Sequence, residues 1–256
     1  MIETITMNLT ADIKDRMVHV YLPKRYGQTE GRYPVLYLHD GQHVFGNDVE
    51  QSLRLDEHLD EGEAAFIVVA IENDPARRKE EYCPFRTGTL SEKMTGDEAF
   101  GGGGIAYIDG LVSHLKAEID RRYRTIPKEN VMAGISLGGL ISLYAMCAYP
   151  DIFSRGAAFS PAFFRNFEEM ESLLAASRLT GDESFFMDCG DTEVSADSTL
   201  SNAFLRSNET MYGHIKKRVP RAEFEIVRGG THDYEAFRSR VPAALLRLMA
   251  ERGVGE

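Results

Sequence analysis

Residues 129–146 read ENVMAGISLGGLISLYAM, and their interpretation decides the fold. One serine, Ser136, stands between Gly134 and Gly138, where a short apolar run gives way to apolar residues at helical spacing. With 23 glycines in 256 residues, a chance match to G-x-S-x-G arises about one time in ten at ordinary residue usage. The pattern therefore takes its meaning from its surroundings. NVMAGIS predicts a strand, and the residues after it predict a helix to Ala148, stopped by Pro150. A strand turning sharply into a helix lifts a serine hydroxyl above a sheet, and flanking glycines let strand and helix approach. The helix start adds free N–H groups and a positive dipole end.

Outward from this stretch, eight strands are predicted. ETITMNL and MVHVYLP open the chain, followed by YPVLYLHDGQ, AAFIVVAIEND, NVMAGIS, RGAAFS, SFFMDCG and EFEIVRGG. The continuous apolar runs among them suit strands buried on both faces. Helical spacing of Ile108, Leu111, Val112, Leu115 and Ile119 predicts a helix before Pro127, which is expected to mark its exit. Further helices are expected around residues 167–177 and 205–217, and VPAALLRLMAERG should close the chain with Pro242 in its first turn. Residues 85–104, polar and ending in four glycines, read as a long mobile loop. Strands alternating with helices imply an α/β fold, mainly parallel with antiparallel N-terminal strands and helices on both faces, in one domain spanning residues 1–256.

The formal net charge of −11 disfavours nucleic acid and anionic membranes as partners. Three cysteines without metal-site spacing suggest reduced thiols. The first residues lack a signal-peptide pattern and no run is long enough to span a bilayer, so a cytoplasmic location is expected.

A serine hydroxyl needs a base. Of seven histidines, His19 falls in a strand, and His58, His114 and His214 fall in helical patterns. His232 follows the last strand in the glycine-rich VRGGTHDYEAF, where a general base belongs in the order serine, acid, histidine. The acid should follow the penultimate strand, where Asp191, Glu193 and Asp197 are the candidates. The oxyanion requires two backbone donors, expected from Leu137 and from Gly41 or Gln42 in the HDGQ turn. The same turn places His39, Asp40 and His43 together, but a glycine turn after a strand suits an oxyanion site better than a metal site.

YPVLYLHDGQHVF, NDPARRKEEYCPF, GGGGIAYIDGLVSHLKAEIDRRYRT, VMAGISLGGLISLYAMCAYPDIF and FSPAF occur in the order found in the putative-esterase family of α/β-hydrolases. The chain resembles that family, which includes enterochelin-type siderophore esterases, feruloyl and acetyl-xylan esterases and S-formylglutathione hydrolase. The resemblance implies an α/β-hydrolase fold and serine ester hydrolysis through an acyl-enzyme, without cofactor or metal, on a small-molecule ester. It implies Ser136 as nucleophile, His232 as base, and Gly41, Gln42 and Leu137 in the oxyanion region. The family's acid offset from the strand-ending glycine, here Gly190, falls on Glu193, with Asp191 as the departure from that spacing. Phe163 and Phe164 are candidates for apolar substrate walls, with core packing the alternative. Arg77, Arg78, Glu81 and Tyr82 are candidates for the entrance. Short-acyl, sugar, feruloyl and siderophore-type esters all fit. Acyl transfer, a silent binding protein and homo-oligomerisation are left open by the sequence.

Overall fold

The computed structural model describes residues 1–46, 50–62, 64–194 and 196–250. Eight strands form one sheet: β1 Ile2–Met7, β2 Arg16–Tyr21, β3 Tyr33–His39, β4 Ile67–Ile71, β5 Thr125–Ile135, β6 Arg155–Phe159, β7 Ser184–Gly190 and β8 Arg221–Val227. Their order is β1-β2-β4-β3-β5-β6-β7-β8. β1 pairs antiparallel to β2, and β2 antiparallel to β4, while all remaining pairs are parallel.

The apolar runs explain this arrangement. All five residues of β4 are buried, and six of the seven in β3. Alternation along each strand sends successive side chains to opposite faces. Val35, Tyr37, Ile67, Val69 and Met132 join a core on one face with Leu111, Leu140 and Leu143. Leu36, Leu38, Val68, Ala70 and Ala133 join a core on the other with Leu59, Val241 and Leu245. Both faces are therefore covered, as a parallel sheet requires.

From β3 the chain crosses to β4 on one side, and β5 then lies on β3's other side. The strand order thus reverses at β3, and such a switch point opens a crevice at the carboxyl ends of the strands. The turns after β3 and β5 both lie at that crevice.

Four local expectations are corrected. Pro127 lies inside β5 rather than at a helix exit. It falls where the β3–β5 register jumps from Tyr33–Thr125 to Val35–Asn130, so that ladder does not require its missing N–H. The last described helix spans Tyr234–Ala250, with Pro242 in its interior rather than its first turn. Burial of Phe237, Val241, Leu245, Leu248 and Met249 holds this helix on both sides of the proline, offsetting the lost backbone bond.

Residues 85–104 are not a structureless loop. They contain a helix, Thr89–Thr95, and a bridge between Arg86 and Gly101. The Arg165 guanidinium donates to Ser91 Oγ, Thr95 Oγ1 and Asp97 Oδ2, and the Asn166 amide donates to the Phe85 and Arg86 carbonyls. The anchors come from 68 to 81 residues away, so local composition does not show them. The predicted helix at 205–217 is also longer, spanning Ser198–Arg218 and capped by Asp197, whose carboxylate accepts from the Thr199 and Leu200 N–H groups. That cap gives Asp197 a structural task.

Candidate functional site

Ser136 directly follows β5, and the helix Leu137–Ala148 starts at the next residue. Its backbone sits at φ 59°, ψ −118°, a conformation costing about 1–3 kcal/mol for a residue with a side chain. Its hydroxyl makes no capping bond to the helix. A serine kept there for capping would use that bond. Gly134 shows how tight the turn is. A Cβ on it would lie 2.5 Å from the Gly138 carbonyl carbon, a distance no side chain tolerates. Neighbouring backbone fixes the elbow from outside, because Ser136 N–H donates to the Phe159 carbonyl at 2.9 Å and Ala162 N–H donates to the Ser136 carbonyl at 3.0 Å.

The turn after β3 meets this elbow. A Cβ on Gly138 would stand 3.3 Å from His39 Cβ and 3.4 Å from Asp40 Oδ2. Asp40 takes the left-handed conformation at φ 60°, and Gly41–His43 forms a single helical turn. The first internal bond of that turn is donated by His43 to the Asp40 carbonyl. The Gly41 and Gln42 N–H groups precede it and, like that of Leu137 at the next helix, have no partner within their own helical segment. These three donors are the ones expected to meet an oxyanion.

The buried Asp40 carboxylate holds the turn in place. Arg78 donates to both of its oxygens, Nε to Oδ1 at 2.7 Å and Nη2 to Oδ2 at 2.8 Å, and Asn73 Nδ2 donates to Oδ1 at 2.6 Å. The Asp40 N–H donates to the Tyr82 hydroxyl, while the Asn73 N–H donates to Gln42 Oε1. Burial pushes the Asp40 carboxyl up, but the bonds from Arg78, its charge and the Asn73 bond outweigh it, holding the group below its ordinary value. His39 is buried, its Nδ1 paired with the Tyr107 hydroxyl at 3.0 Å. Burial drives its pKa down to about 4, against the pull of Asp40. Among the described residues no group of three or more His, Cys, Asp and Glu is placed to hold a metal ion.

In the turn after β8, His232 Nδ1 bonds Glu193 Oε2 at 2.5 Å. The Glu193 side chain is 1% exposed and that of His232 32%. Burial pushes the Glu193 carboxyl up, while the His232 and Ser160 bonds, the His232 charge and the Gly190 N–H more than reverse this, so it lies below its ordinary value. The acid is therefore ionised at neutral pH, and a carboxylate on Nδ1 directs Nε2 to act as the free nitrogen. The imidazole stands between two ring edges, Phe204 at 5.7 Å and Phe237 at 5.3 Å. Asp191 faces elsewhere: its Oδ1 accepts from the Gly229 N–H at 2.7 Å and so ties down the turn leading to His232.

The other candidates are distributed differently. Phe163 is fully buried in the main core, and Phe164 packs against Phe204 with the Arg165 guanidinium over its ring. Glu81 is buried against Arg16 and Tyr82 is fully buried, so neither lines an entrance. Arg78 acts on the β3 turn. His43 packs against the Tyr234 ring. Sequence reasoning missed Ser160, Arg240, Asp188, Phe204 and Phe237 around Glu193 and His232. Only the FSPAF match offered a signal for any of them.

The model of the putative-esterase family matches residues 12–248. Among curated proteins, the uncharacterized protein YbbA of Bacillus subtilis is 26% identical over 230 residues, covering 87% of this chain and 88% of YbbA. Ferri-bacillibactin esterase BesA of the same organism is 29% identical over 163 residues, which span 60% of this chain and 56% of BesA. Among solved structures, the siderophore hydrolase EstB of Aspergillus nidulans superposes with a TM-score of 0.78 at 19% identity, over 100% of this chain and 96% of EstB, a likeness of fold.

Proposed function

The chain belongs to the putative-esterase family of ester hydrolases, and from that premise we propose that Ser136 is its nucleophile, His232 its general base and Glu193 the acid. The Glu193–His232 bond, together with a serine in strained backbone, carries this reading. In the proposed reaction Ser136 Oγ attacks the ester carbonyl carbon while His232 Nε2 takes its proton. Glu193 holds the imidazole by Nδ1 and stabilises the imidazolium that forms. The carbonyl oxygen becomes an oxyanion beside the Leu137 N–H and the Gly41 and Gln42 N–H groups. Collapse breaks the bond to the alcohol, which leaves with the proton from His232. Water, activated by the same imidazole, then releases the acid and restores Ser136. No cofactor enters this cycle.

The names of BesA and EstB put siderophore esters first among substrates to test. Short-acyl, acetyl-sugar and feruloyl esters complete the set. A fluorophosphonate should modify Ser136, and Ser136→Ala should lose both the adduct and ester hydrolysis across the whole set. A fully active Ser136→Ala variant overturns the proposal.

A further inference from the structure

The segment Phe159–Ala162 grips both sides of the proposed machinery. Its two ends hold the Ser136 backbone, through the Phe159 carbonyl and the Ala162 N–H. Between them Ser160, fully buried and at φ 43°, donates its hydroxyl proton to Glu193 Oε1 at 2.5 Å. Behind it Arg240 Nη2 donates to Ser160 Oγ at 2.7 Å, and Arg240 Nε donates to Asp188 Oδ2 at 2.8 Å. The other Asp188 oxygen accepts the Ser160 N–H at 3.1 Å, which closes a ring of three residues.

The direction of these bonds follows from chemistry. A guanidinium only donates, so Ser160 Oγ accepts from Arg240 and its single proton is left for Glu193. Glu193 Oε1 then receives both Ser160 and the Gly190 N–H, leaving Oε2 for the imidazole. Asp188 occupies Arg240, so the group behind Glu193 is a neutral hydroxyl rather than a cation. A guanidinium paired directly with Glu193 would offset the charge that His232 requires. Asp188 and the Cys189 thiol also face Glu193, and Asp233 and the Phe237 ring face Arg240. Burial pushes Asp188 up to about 6 against the pull of Arg240, so each member of the pair depends on the other.

We propose that Ser160, oriented by the Asp188–Arg240 pair, is a positioning residue that aims Glu193 at His232 while its flanking backbone fixes Ser136. This inference rests on the nucleophile, base and acid named above, and steady-state kinetics of the full chain on an aryl ester tests it. Ser160→Ala keeps every charge and should lower kcat by about tenfold or more, with KM within about twofold. Asp188→Asn frees Arg240 to approach Glu193 and should also lower kcat. Asp188→Asn/Arg240→Met removes both charges, which buried pairs often tolerate, and should recover most of that loss. A merely structural pair would leave the double variant no better than the single one. Ser160→Ala at the wild-type kcat, or with its loss confined to KM, overturns the inference. A double variant no better than Asp188→Asn overturns the role of the pair. Should Asp188→Asn not fold, Ser160→Ala decides alone. An active Ser136→Ala would fail the underlying reading, whereas an inactive Ser136→Ala beside a normal Ser160→Ala fails only this inference.

Discussion

The turns after β3 and β8 supply the two sides of the proposed machinery and are held in opposite ways. The β3 turn is buried and fixed by charge: Asp40 is bound by two Arg78 bonds and by Asn73, with its own N–H on Tyr82. Space is as restrictive there, since a Cβ on Gly41 would lie 2.6 Å from the Ala70 carbonyl group. The β8 turn carries a half-buried imidazole held by one carboxylate and two ring edges. The difference matches the proposed tasks. Backbone donors work when they are immobile before the charge develops, whereas a base must take up and release a proton.

Removing the imidazole side of this contrast should cost most. His232→Ala is expected to reduce kcat/KM about a thousandfold or more, since nucleophile and base act as a unit, while its thermal midpoint stays close to wild type. A large loss of stability would mean that the β8 turn is a structural clamp as well. Arg78→Met attacks the rigid side and should behave differently. It leaves Asp40 buried and unpaired, a change that costs about 3 kcal/mol, and should lower kcat by about ten- to a hundredfold as the donor turn loosens. Unchanged stability in Arg78→Met would break the comparison.

The same variant has a pH signature. Asp40 lies below its ordinary value when folded. Its contribution to stability is therefore fully present above the unfolded pKa of about 4 and is lost as pH falls through the lower folded value. Without Arg78, burial is opposed mainly by the remaining Asn73 bond, and the carboxyl rises relative to wild type. Acid unfolding of Arg78→Met should therefore begin at higher pH than in wild type, as followed by circular dichroism. Asp191→Asn is the mildest test. It alters the bonds from the Gly229 N–H and the Thr192 hydroxyl and should change kcat by no more than about threefold. A larger loss would shift the acid's role toward Asp191.

What the sequence disclosed follows the same division. Local patterns carried the strands, the elbow at Ser136 and the glycine-rich approach to His232, because periodicity and turn chemistry act over a few residues. Glu193 was reached only through its offset from Gly190, since three acidic residues crowd that loop and charge alone does not separate them. The partners that hold these groups lie far along the chain. Arg78 reaches Asp40 across 38 residues, and Arg240 reaches Ser160 across 80. Neither has a local pattern that distinguishes it from a solvated arginine. Phe163 shows the converse, since its aromatic side chain beside a turn suggested a substrate wall while the fold buries it completely. Pro127 and Pro242 misled for a related reason: a register jump and a buried helix face accommodate them.

The central claim is that a carboxylate on Nδ1 makes His232 the base that activates Ser136. Fluorophosphonate labelling isolates that step, because the adduct forms in a single attack by the serine and no later turnover enters. The rate should be measured on the wild type and on Glu193→Gln, across pH, with the modified residue identified by peptide mass. Glutamine keeps the volume and removes the charge, so both proteins should be labelled at Ser136. Labelling of Glu193→Gln should be slower than that of wild type by orders of magnitude at neutral pH. Equal rates for the two proteins at Ser136 would contradict the account.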